Sequence, residues 1–318
     1  MIHPRYTRPV YSRLFAAVVA SGGDPSGWGV PKWSPESDQE FSAKYGVKTS
    51  ILSLTAPGAC ILKDAVASAK LARDSNEYAA ALREKKPDAF GVLAALPSLL
   101  NKDLAFQELK YAYDVLKVDG VLLFTRYGTD NHYLGHPDFN EIWDELERRQ
   151  AVVLIHPTHP VDTNLIRPGV PQPVIDYPFE TTKAAVDLIV SGTVRRCPNV
   201  KIVLSHAGGT LPYLVGRPAT VMPYLDKAFT VEDFLEDARN FYYDTAVAGS
   251  ENVLMVIEKF AKPGHVLYGS DYPYAGPSII TYHTDGLDKF PFQSKMLLQD
   301  INRNNALKLF PRLAALQK

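Results

Sequence analysis

Short apolar segments alternate with helical segments along most of this 318-residue chain, and that alternation limits the fold more than any other feature. Apolar runs without alternating polar residues are typical of strands buried on both faces of a sheet. Helices between successive strands make such a sheet parallel. The predicted strands are Val47–Leu54, Phe90–Leu96, Val118–Phe124, Ala151–His156, Val200–His206, Phe241–Thr245 and His265–Ser270.

A helical pattern follows each predicted strand, which favours a (β/α)8 TIM barrel, an α/β fold. The predicted helices are Lys63–Lys85, Leu104–Leu116, Asn140–Arg149, Thr181–Ser191, Leu211–Leu225, Val231–Ala238, Glu251–Phe260 and Asp300–Phe310, with a short extension over Arg312–Leu316. Only seven strands are found, so the first strand of the barrel is expected to be lacking or altered. An open doubly wound sheet needs no eighth strand, but no glycine-rich nucleotide loop follows any strand, which weakens that alternative.

We expect residues 1–318 to form a single domain, because the sequence shows no linker, repeat or low-complexity tract. Residues 21–35, SGGDPSGWGVPKWSP, are rich in glycine and proline and predict an irregular loop insertion. Its two tryptophans, Trp28 and Trp33, are expected to pack against the body of the protein, since tryptophan is mostly buried.

Charge and composition limit the classes of partner and compartment. The 34 basic and 35 acidic side chains give a formal net charge of −1, so nucleic-acid binding has no electrostatic support. No run reaches the roughly 18 apolar residues of a membrane span, and the first residues contain no apolar signal core. Cys60 and Cys197 form no CxxC pair, which indicates reduced thiols. The sequence therefore predicts a cytoplasmic protein without nucleic-acid or membrane partners.

Three predicted strands end in side chains that bind metal ions, namely His156, His206 and Asp271. In a barrel the active site lies at the carboxyl ends of the strands, so we expect all three at one rim. Two imidazoles and a carboxylate suit Zn²⁺ or a similar divalent ion. Each residue also has a structural alternative: a histidine at a strand end often only packs, and an aspartate before Tyr-Pro is often a turn residue.

The remaining histidines carry less weight. His159 lies three residues after His156 and is within reach of the same rim, whereas His265 begins a strand at the opposite end of the barrel. We expect His132, His136 and His283 in loops.

Four segments around the predicted site resemble one known family. They are LIHPTHP, DYPFETTKAAVDLIVSG, CPNVKIVLSHAGGTLPYLVGR and VLYGSDYPY. On these segments the chain is similar to the amidohydrolase-related, metal-dependent decarboxylases, which include the aminocarboxymuconate-semialdehyde, γ-resorcylate and 6-methylsalicylate types. The resemblance runs over nearly the whole chain. The loop at 23–28, GDPSGW, and the Trp33-Ser34-Pro35 that follows it most resemble the 6-methylsalicylate type.

The resemblance implies a role for each residue of the predicted metal site. His156 and Asp271 would be metal ligands, and Asp271 would also donate or accept a proton. His206 would lie beside the metal-bound water or substrate and act in acid–base or polarising work. The metal would be Zn²⁺, with Mn²⁺ as the other choice, and no organic cofactor is implied.

The resemblance also implies how substrate is bound, in a chain that forms a homodimer. Arg217 would reach across the dimer interface to a substrate carboxylate; its alternative is a structural helix arginine. Phe179 would line the substrate pocket, or else be an ordinary core phenylalanine. Trp28 and Tyr272 would complete an apolar wall that excludes water.

One motif of the family is missing from this sequence. Family members open with a strand ending in His-x-His or Glu-x-His, in which alternation places two ligands on one face. The segment Met1-Ile2-His3-Pro4-Arg5-Tyr6 matches what usually follows, so the missing ligands would fall just before Met1. A metal held by His156 and Asp271 alone would bind weakly. Three explanations stay open: a truncated start, a metal-poor relative, or repair by His3, His159 or a partner chain.

Three functions follow from these observations. The first is metal-dependent, non-oxidative decarboxylation of a small aromatic carboxylic acid of the hydroxybenzoate type, such as 6-methylsalicylate, with release of CO₂. The second is hydrolysis of a lactone, amide or ester by the same donor set. The third is an inactive, metal-poor homologue that only binds a ligand or another subunit.

Overall fold

The computed structural model describes residues 16, 18, 20, 24–293 and 295–316 of the chain. Seven parallel strands form the main sheet, in the order β1-β2-β3-β6-β7-β8-β9, and β4 pairs with β5 in a small antiparallel ribbon. The strands of this part of the chain are β1 Ser50–Leu52, β2 Phe90–Ala94, β3 Gly120–Phe124, β4 Arg126–Tyr127, β5 His132–Tyr133, β6 Val152–His156, β7 Lys201–Leu204, β8 Tyr242–Asp244 and β9 Val266–Leu267.

At least one helix separates each strand of the main sheet from the next. The α-helices of the described residues are Pro35–Tyr45, Ala65–Lys85, Lys102–Asp114, Asn140–Arg148, Asp176–Val190, Thr193–Arg196, Leu211–Leu214, Gly216–Leu225, Val231–Arg239, Glu251–Phe260, Pro277–Lys289, Lys295–Gln299, Asn305–Leu309 and Pro311–Ala315. Short 3₁₀ turns cover Gly58–Ile61, Pro137–Phe139, Gln172–Val174 and His206–Gly208, and a π-helical turn covers Asp300–Asn304.

The strand order confirms the α/β architecture predicted from the sequence. All seven expected strands are present, and each is parallel to its neighbours in the main sheet. Strands that follow one another in chain order, with helices between them, are the repeating unit of a (β/α)8 barrel. The expected loss of a first strand concerns residues before 16, which lie outside the described part of the chain. That residues 1–318 form a single domain stays a prediction.

The core lies between the sheet and the surrounding helices. Every residue of β2 and of β3 is buried, as continuous apolar runs predict. The helix Asn140–Arg148 turns Ile142, Trp143 and Leu146 inward, at helical spacing. The Trp143 indole donates a hydrogen bond to the carbonyl oxygen of Leu134 at 2.8 Å, so its one polar group is satisfied inside the core.

Two of the helices longer than ten residues were missed in the sequence. Pro35–Tyr45 begins where the expected loop 21–35 ends, and its cap is reciprocal: Ser34 Oγ accepts from the Ser37 N–H at 3.1 Å, and Ser37 Oγ accepts from the Ser34 N–H at 3.0 Å. The other helix, Pro277–Lys289, contains His283, so the prediction that His283 lies in a loop is wrong. Both helices start with proline at the first turn, where no intrahelical N–H is needed.

Strand β9 is shorter than the apolar run His265–Ser270, because backbone groups of this run form hydrogen bonds with residues 301 and 305 instead of with a further strand. The Tyr268 N–H donates to the Ile301 carbonyl at 3.0 Å, and Asn305 Nδ2 donates to the Val266 carbonyl at 2.8 Å. The expected strand His265–Ser270 therefore ends at Leu267. None of the helices in the described part of the chain combines the length and apolar composition of a membrane span.

Candidate metal centre

His156, His206 and Asp271 meet just beyond the carboxyl ends of β6, β7 and β9. One ring nitrogen from each histidine and one carboxylate oxygen all lie within 4.8 Å of one another. The two imidazole centroids are 5.7 Å apart, with the ring planes at 67°. The convergence expected from the strand ends is therefore present, while the role of each residue stays a prediction.

Backbone carbonyl groups fix the orientation of both imidazoles. His156 Nδ1 lies 2.7 Å from the carbonyl oxygen of Pro157, and His206 Nδ1 lies 2.9 Å from that of Ala246. A carbonyl oxygen only accepts hydrogen bonds, so each Nδ1 carries a hydrogen, and in the neutral ring each Nε2 then has the lone pair. Two such nitrogens and a carboxylate fit a divalent cation.

Burial shifts the ionisation of the site toward neutral side chains. Burial, together with a smaller contribution from the nearby His206, lowers the pKa of His156 to about 3. Burial also raises the pKa of Asp271 to about 6; His206 opposes that shift, and the carboxylate of Asp244 adds to it. Asp244 itself has a raised pKa, chiefly because it is buried. Two neighbouring buried carboxylates are a site that a cation would stabilise.

The backbone at two of the three residues is strained. His206 has φ +57° and Asp271 has φ +60°, and Ala207 has φ +54°, all in the left-handed region that residues with a Cβ rarely adopt. Such conformations persist where surrounding contacts enforce them, and they concentrate at functional sites. The strain thus supports a functional reading of His206 and Asp271.

Asp244 is a site residue that the sequence analysis missed. It ends β8, and its Oδ1 accepts hydrogen bonds from the backbone N–H groups of His206 at 2.8 Å and Ala246 at 3.0 Å. Asp244 therefore fixes the strained turn at His206. It also positions Ala246, whose carbonyl oxygen orients the His206 ring. The sequence contained the signal for Asp244. The segment FYYDT places a carboxylate at the end of a predicted strand, just as VLIH and VLSH place a histidine there.

The loop that carries Trp28 reaches the site through a short chain of contacts. The Trp28 N–H donates to Ser26 Oγ at 3.2 Å, and the Ser26 side chain acts on the hydroxyl group of Tyr177, whose pKa it lowers against the larger effect of burial. The Tyr177 ring meets the His156 ring edge-on, with centroids 6.3 Å apart. Trp28 is half-buried, and Trp33 is tied to the following helix by a hydrogen bond from its indole to Asp38.

The other residues expected to bind substrate lie at varied positions. Tyr272, next to Asp271, stacks on Phe41 with ring centroids 4.2 Å apart. Phe179 is 45% exposed, so it is not the ordinary core phenylalanine of the alternative reading. Arg217 is exposed on the helix Gly216–Leu225. Contact of these three residues with a substrate stays a prediction.

Repair of the metal site by His159 receives no support from its contacts. Among the described residues, the donor group contains His156, His206 and Asp271 but not His159. The His159 ring lies instead 3.2 Å from Thr158 Oγ1, and its carbonyl accepts a hydrogen bond from Arg126 at 3.0 Å. His3, the other proposed substitute ligand, lies outside the described residues.

Known proteins are similar to this chain in both sequence and fold. A family model for amidohydrolases matches residues 4–312. A 6-methylsalicylic acid decarboxylase of Aspergillus aculeatus is 48% identical over 307 residues, covering 93% of this chain and 92% of that protein. One from Penicillium expansum is 48% identical over 299 residues, again covering 93% of this chain and 92% of the relative.

A solved structure agrees with these sequence relatives. The 2,6-dihydroxybenzoate decarboxylase from Rhizobium superposes with a TM-score of 0.78 at 25% identity, covering 88% of each chain. The family match extends over nearly the whole length, and the donor group lies at the strand ends where the barrel architecture places an active site. On these grounds the chain belongs to the amidohydrolase family.

Proposed function

We propose that this chain is a metal-dependent decarboxylase that converts a small aromatic acid of the hydroxybenzoate type, such as 6-methylsalicylate, with release of CO₂. The observation that carries the proposal is the convergence of His156, His206 and Asp271 at one rim. Support for the substrate class comes from the 48% identity to 6-methylsalicylic acid decarboxylases of two fungi.

His156 and Asp271 would hold a divalent ion, Zn²⁺ or Mn²⁺, with His206 beside it. When bound, such an ion supplies a positive charge and a Lewis acid for the carboxylate and hydroxyl oxygens of the substrate. The free Nε2 lone pair of His156, fixed by its Nδ1 contact with Pro157, supports its role as a ligand. No organic cofactor enters the proposal.

Asp271 would supply the proton that the reaction needs. The ring carbon bearing the carboxylate is protonated, the bond to that carboxylate breaks, and its electron pair returns to the ring as CO₂ leaves. In the metal-free chain, burial raises the pKa of the Asp271 carboxyl group, which favours its protonated form and suits a proton donor. His206 would accept the hydrogen of a substrate hydroxyl group at its free Nε2 and stabilise the charge that develops.

The residues around the site would bind the aromatic ring and exclude water. Trp28 belongs to a loop that already contacts Tyr177 beside His156, and Tyr272 follows Asp271 directly. Phe179 is exposed in the single chain, so it would line the pocket only beside a second surface.

We place that second surface in a homodimer. Arg217 lies on a pair of short helices that also expose Tyr213, Tyr224 and Leu225, by 85%, 81% and 68% respectively. Exposed aromatic and apolar side chains beside an arginine are typical of protein interfaces. Arg217 would cross this interface to the substrate carboxylate of the partner subunit. The two free thiols, Cys60 and Cys197, favour a cytoplasmic location.

Hydrolysis of a lactone, amide or ester is the second candidate, because the same donors also suit an ion that activates water. One experiment separates the possibilities: bound metal is measured in the purified chain, and CO₂ release is followed with 6-methylsalicylate and related hydroxybenzoates. We expect CO₂ release and a metal equivalent that depends on His156, with both lost in His156→Gln and retained in Glu141→Gln, which alters an exposed carboxylate. Metal with ester or lactone cleavage but no CO₂ would establish the hydrolase, and no metal with no turnover would leave a binding protein.

A further inference from the structure

A second group of metal-binding side chains lies outside the candidate active site. His132 in β5 and two residues of the following turn, His136 and Asp138, bring one ring nitrogen each and one carboxylate oxygen within 4.8 Å of one another. His132 Nε2 is 3.2 Å from Asp138 Oδ2. His136 Nδ1 is 3.5 Å from the same oxygen and accepts the Asp138 N–H at 3.2 Å, a hydrogen bond that an ion at this nitrogen would replace. The two imidazole centroids are 4.0 Å apart.

A further carboxylate orients His132 from the other side of its ring. Asp130 Oδ1 makes a short hydrogen bond with His132 Nδ1. In the neutral ring, a carboxylate that accepts the Nδ1 hydrogen leaves Nε2 with its lone pair, and a metal-ligating histidine usually has such a partner. Nε2 is the atom that faces Asp138.

Buried residues hold the segment that carries these side chains. Arg126 in β4, which is 4% exposed, donates to the carbonyl oxygens of Gly128 at 3.0 Å and Asp130 at 2.9 Å. On the other side of β5, the Gly135 N–H donates to the Asp187 carboxylate at 2.6 Å. The positions of the donors are therefore set by the fold, as a binding site requires.

The group is also accessible to an ion from solution. The side chains of His132, His136 and Asp138 are 23%, 38% and 53% exposed. Asp138 additionally lines a surface cavity of about 470 Å³, together with residues 99–104. Three protein donors with an open side leave room for water to complete the coordination.

We propose that His132, His136 and Asp138 bind a divalent transition-metal ion such as Zn²⁺, with Asp130 as the positioning residue. The ion would fasten the β4–β5 ribbon to the turn that starts the helix Asn140–Arg148. This site is separate from the proposed decarboxylase centre. The competing account is an imidazolium held by ion pairs between Asp130 and Asp138, with no metal.

Zinc titration of the full chain in competition with a chromophoric chelator tests this site. We expect two equivalents in the unaltered chain, and one each in His156→Gln and in the double variant His132→Gln/His136→Gln. Asp130→Asn should weaken binding at the second site by roughly 10–100-fold, the range found for such outer partners. Glu141→Gln, an exposed carboxylate three residues beyond Asp138, is the control and should match the unaltered chain.

This experiment tests the His132/His136/Asp138 site and the His156 site independently of each other. If His132→Gln/His136→Gln binds as much zinc as the unaltered chain, with the same affinities, the inference is overturned whatever happens at His156. If His156→Gln changes nothing while the double variant loses an equivalent, the second site stands and the proposed metal centre does not.

A thermal measurement guards against variants that misfold. Zinc should raise the Tm of His156→Gln, because a ligand that binds the folded state stabilises it. It should not raise the Tm of a chain that lacks His132 and His136 as well as His156. An equal rise in both would assign the effect to other residues and contradict the site.

Discussion

Single backbone contacts determine how the side chains of the candidate metal centre are presented. The carbonyl groups of Pro157 and Ala246 turn the two histidines so that Nε2 is free. Asp244 holds the strained turn at His206 through two backbone N–H groups. The chemistry proposed for the site therefore depends on residues that need not touch the substrate.

Replacing Asp244 tests this dependence. Asp244→Ala removes both acceptor contacts and should lower kcat by at least roughly tenfold, because a displaced general acid–base residue loses much of its effect. Asp244→Asn keeps an acceptor oxygen and should restore part of the activity. CO₂ release measures both variants; full activity in Asp244→Ala would show that the turn at His206 does not need this carboxylate.

His159 gives a pH dependence to stability. Burial, together with a smaller contribution from neighbouring Arg126, lowers the pKa of His159 to about 4. The unfolded chain, with an ordinary value near 6.5, binds this proton more tightly than the folded chain. The free energy of unfolding should therefore fall as the pH drops from about 6.5 to 4, with on the order of 2 kcal/mol from this group.

Urea unfolding at pH 7 and pH 4.5 checks the sign of this effect. His159→Gln should reduce the loss of stability between the two pH values and leave the stability at pH 7 nearly unchanged on this account. An identical loss in both chains would show that His159 titrates normally in the folded state.

At the scale of elements, strands were predictable and several of their ends were not. Apolar runs identified all seven strands of the sheet, and in β2 and β3 every residue is buried, as such runs predict. The end of β9 depends on a hydrogen bond from Tyr268 to Ile301, distant in sequence, so no local pattern contains it. The ribbon of β4 and β5 has two residues per strand, too few for a periodic signal.

The residues of the candidate site also divide into those that the sequence predicts and those that only the fold brings into place. His156, His206 and Asp271 were predictable because strand ends share one rim of a parallel sheet. The stacking of Tyr272 on Phe41 joins segments that only the fold brings together. The roles given to Arg217 and Phe179 came from resemblance alone and stay predictions. The helix Pro35–Tyr45 was missed although Ser34-Pro35 carries a cap signal, because a loop rich in glycine and proline precedes it.

The capped helix Pro35–Tyr45 packs beside the candidate site, because its Phe41 stacks on Tyr272, the residue after Asp271. Ser34→Ala removes the cap and should reduce the free energy of unfolding by about 1 kcal/mol, the usual effect of losing such a residue. Ser53→Ala, an exposed serine outside any helix, is the matched control. Chemical denaturation of both variants measures the difference; equal stabilities would contradict the importance of the cap.

Across the whole molecule, the C-terminal helix is fastened to the amino-terminal strands. Arg312 Nε lies 2.6 Å from Asp119 Oδ1, and its other nitrogens donate to the carbonyl oxygens of Pro87 and Phe90. Arg83 lies 3.9 Å from the other oxygen of Asp119, whose side chain is only 3% exposed. One carboxylate thus joins the last helix, the helix before β2 and the start of β3.

Removal of Arg312 should therefore destabilise the whole fold. Arg312→Ala leaves a buried carboxylate with a single, longer ion pair, and we expect a loss on the order of 2–4 kcal/mol, near the range for broken buried pairs. Arg148→Ala breaks an exposed pair with Glu145 and should have an effect below about 1 kcal/mol. Urea midpoints compare the two variants, and similar losses would argue against the C-terminal tie.

The proposed decarboxylase requires one divalent ion between His156 and Asp271. Anomalous diffraction at the zinc or manganese edge, from crystals of the full chain grown with that metal, tests it directly. We expect a peak at roughly 2.0–2.2 Å from His156 Nε2 and from a carboxylate oxygen of Asp271, the usual metal–ligand distances. Crystals that show these two side chains apart, or a peak bound only to other residues, would contradict it.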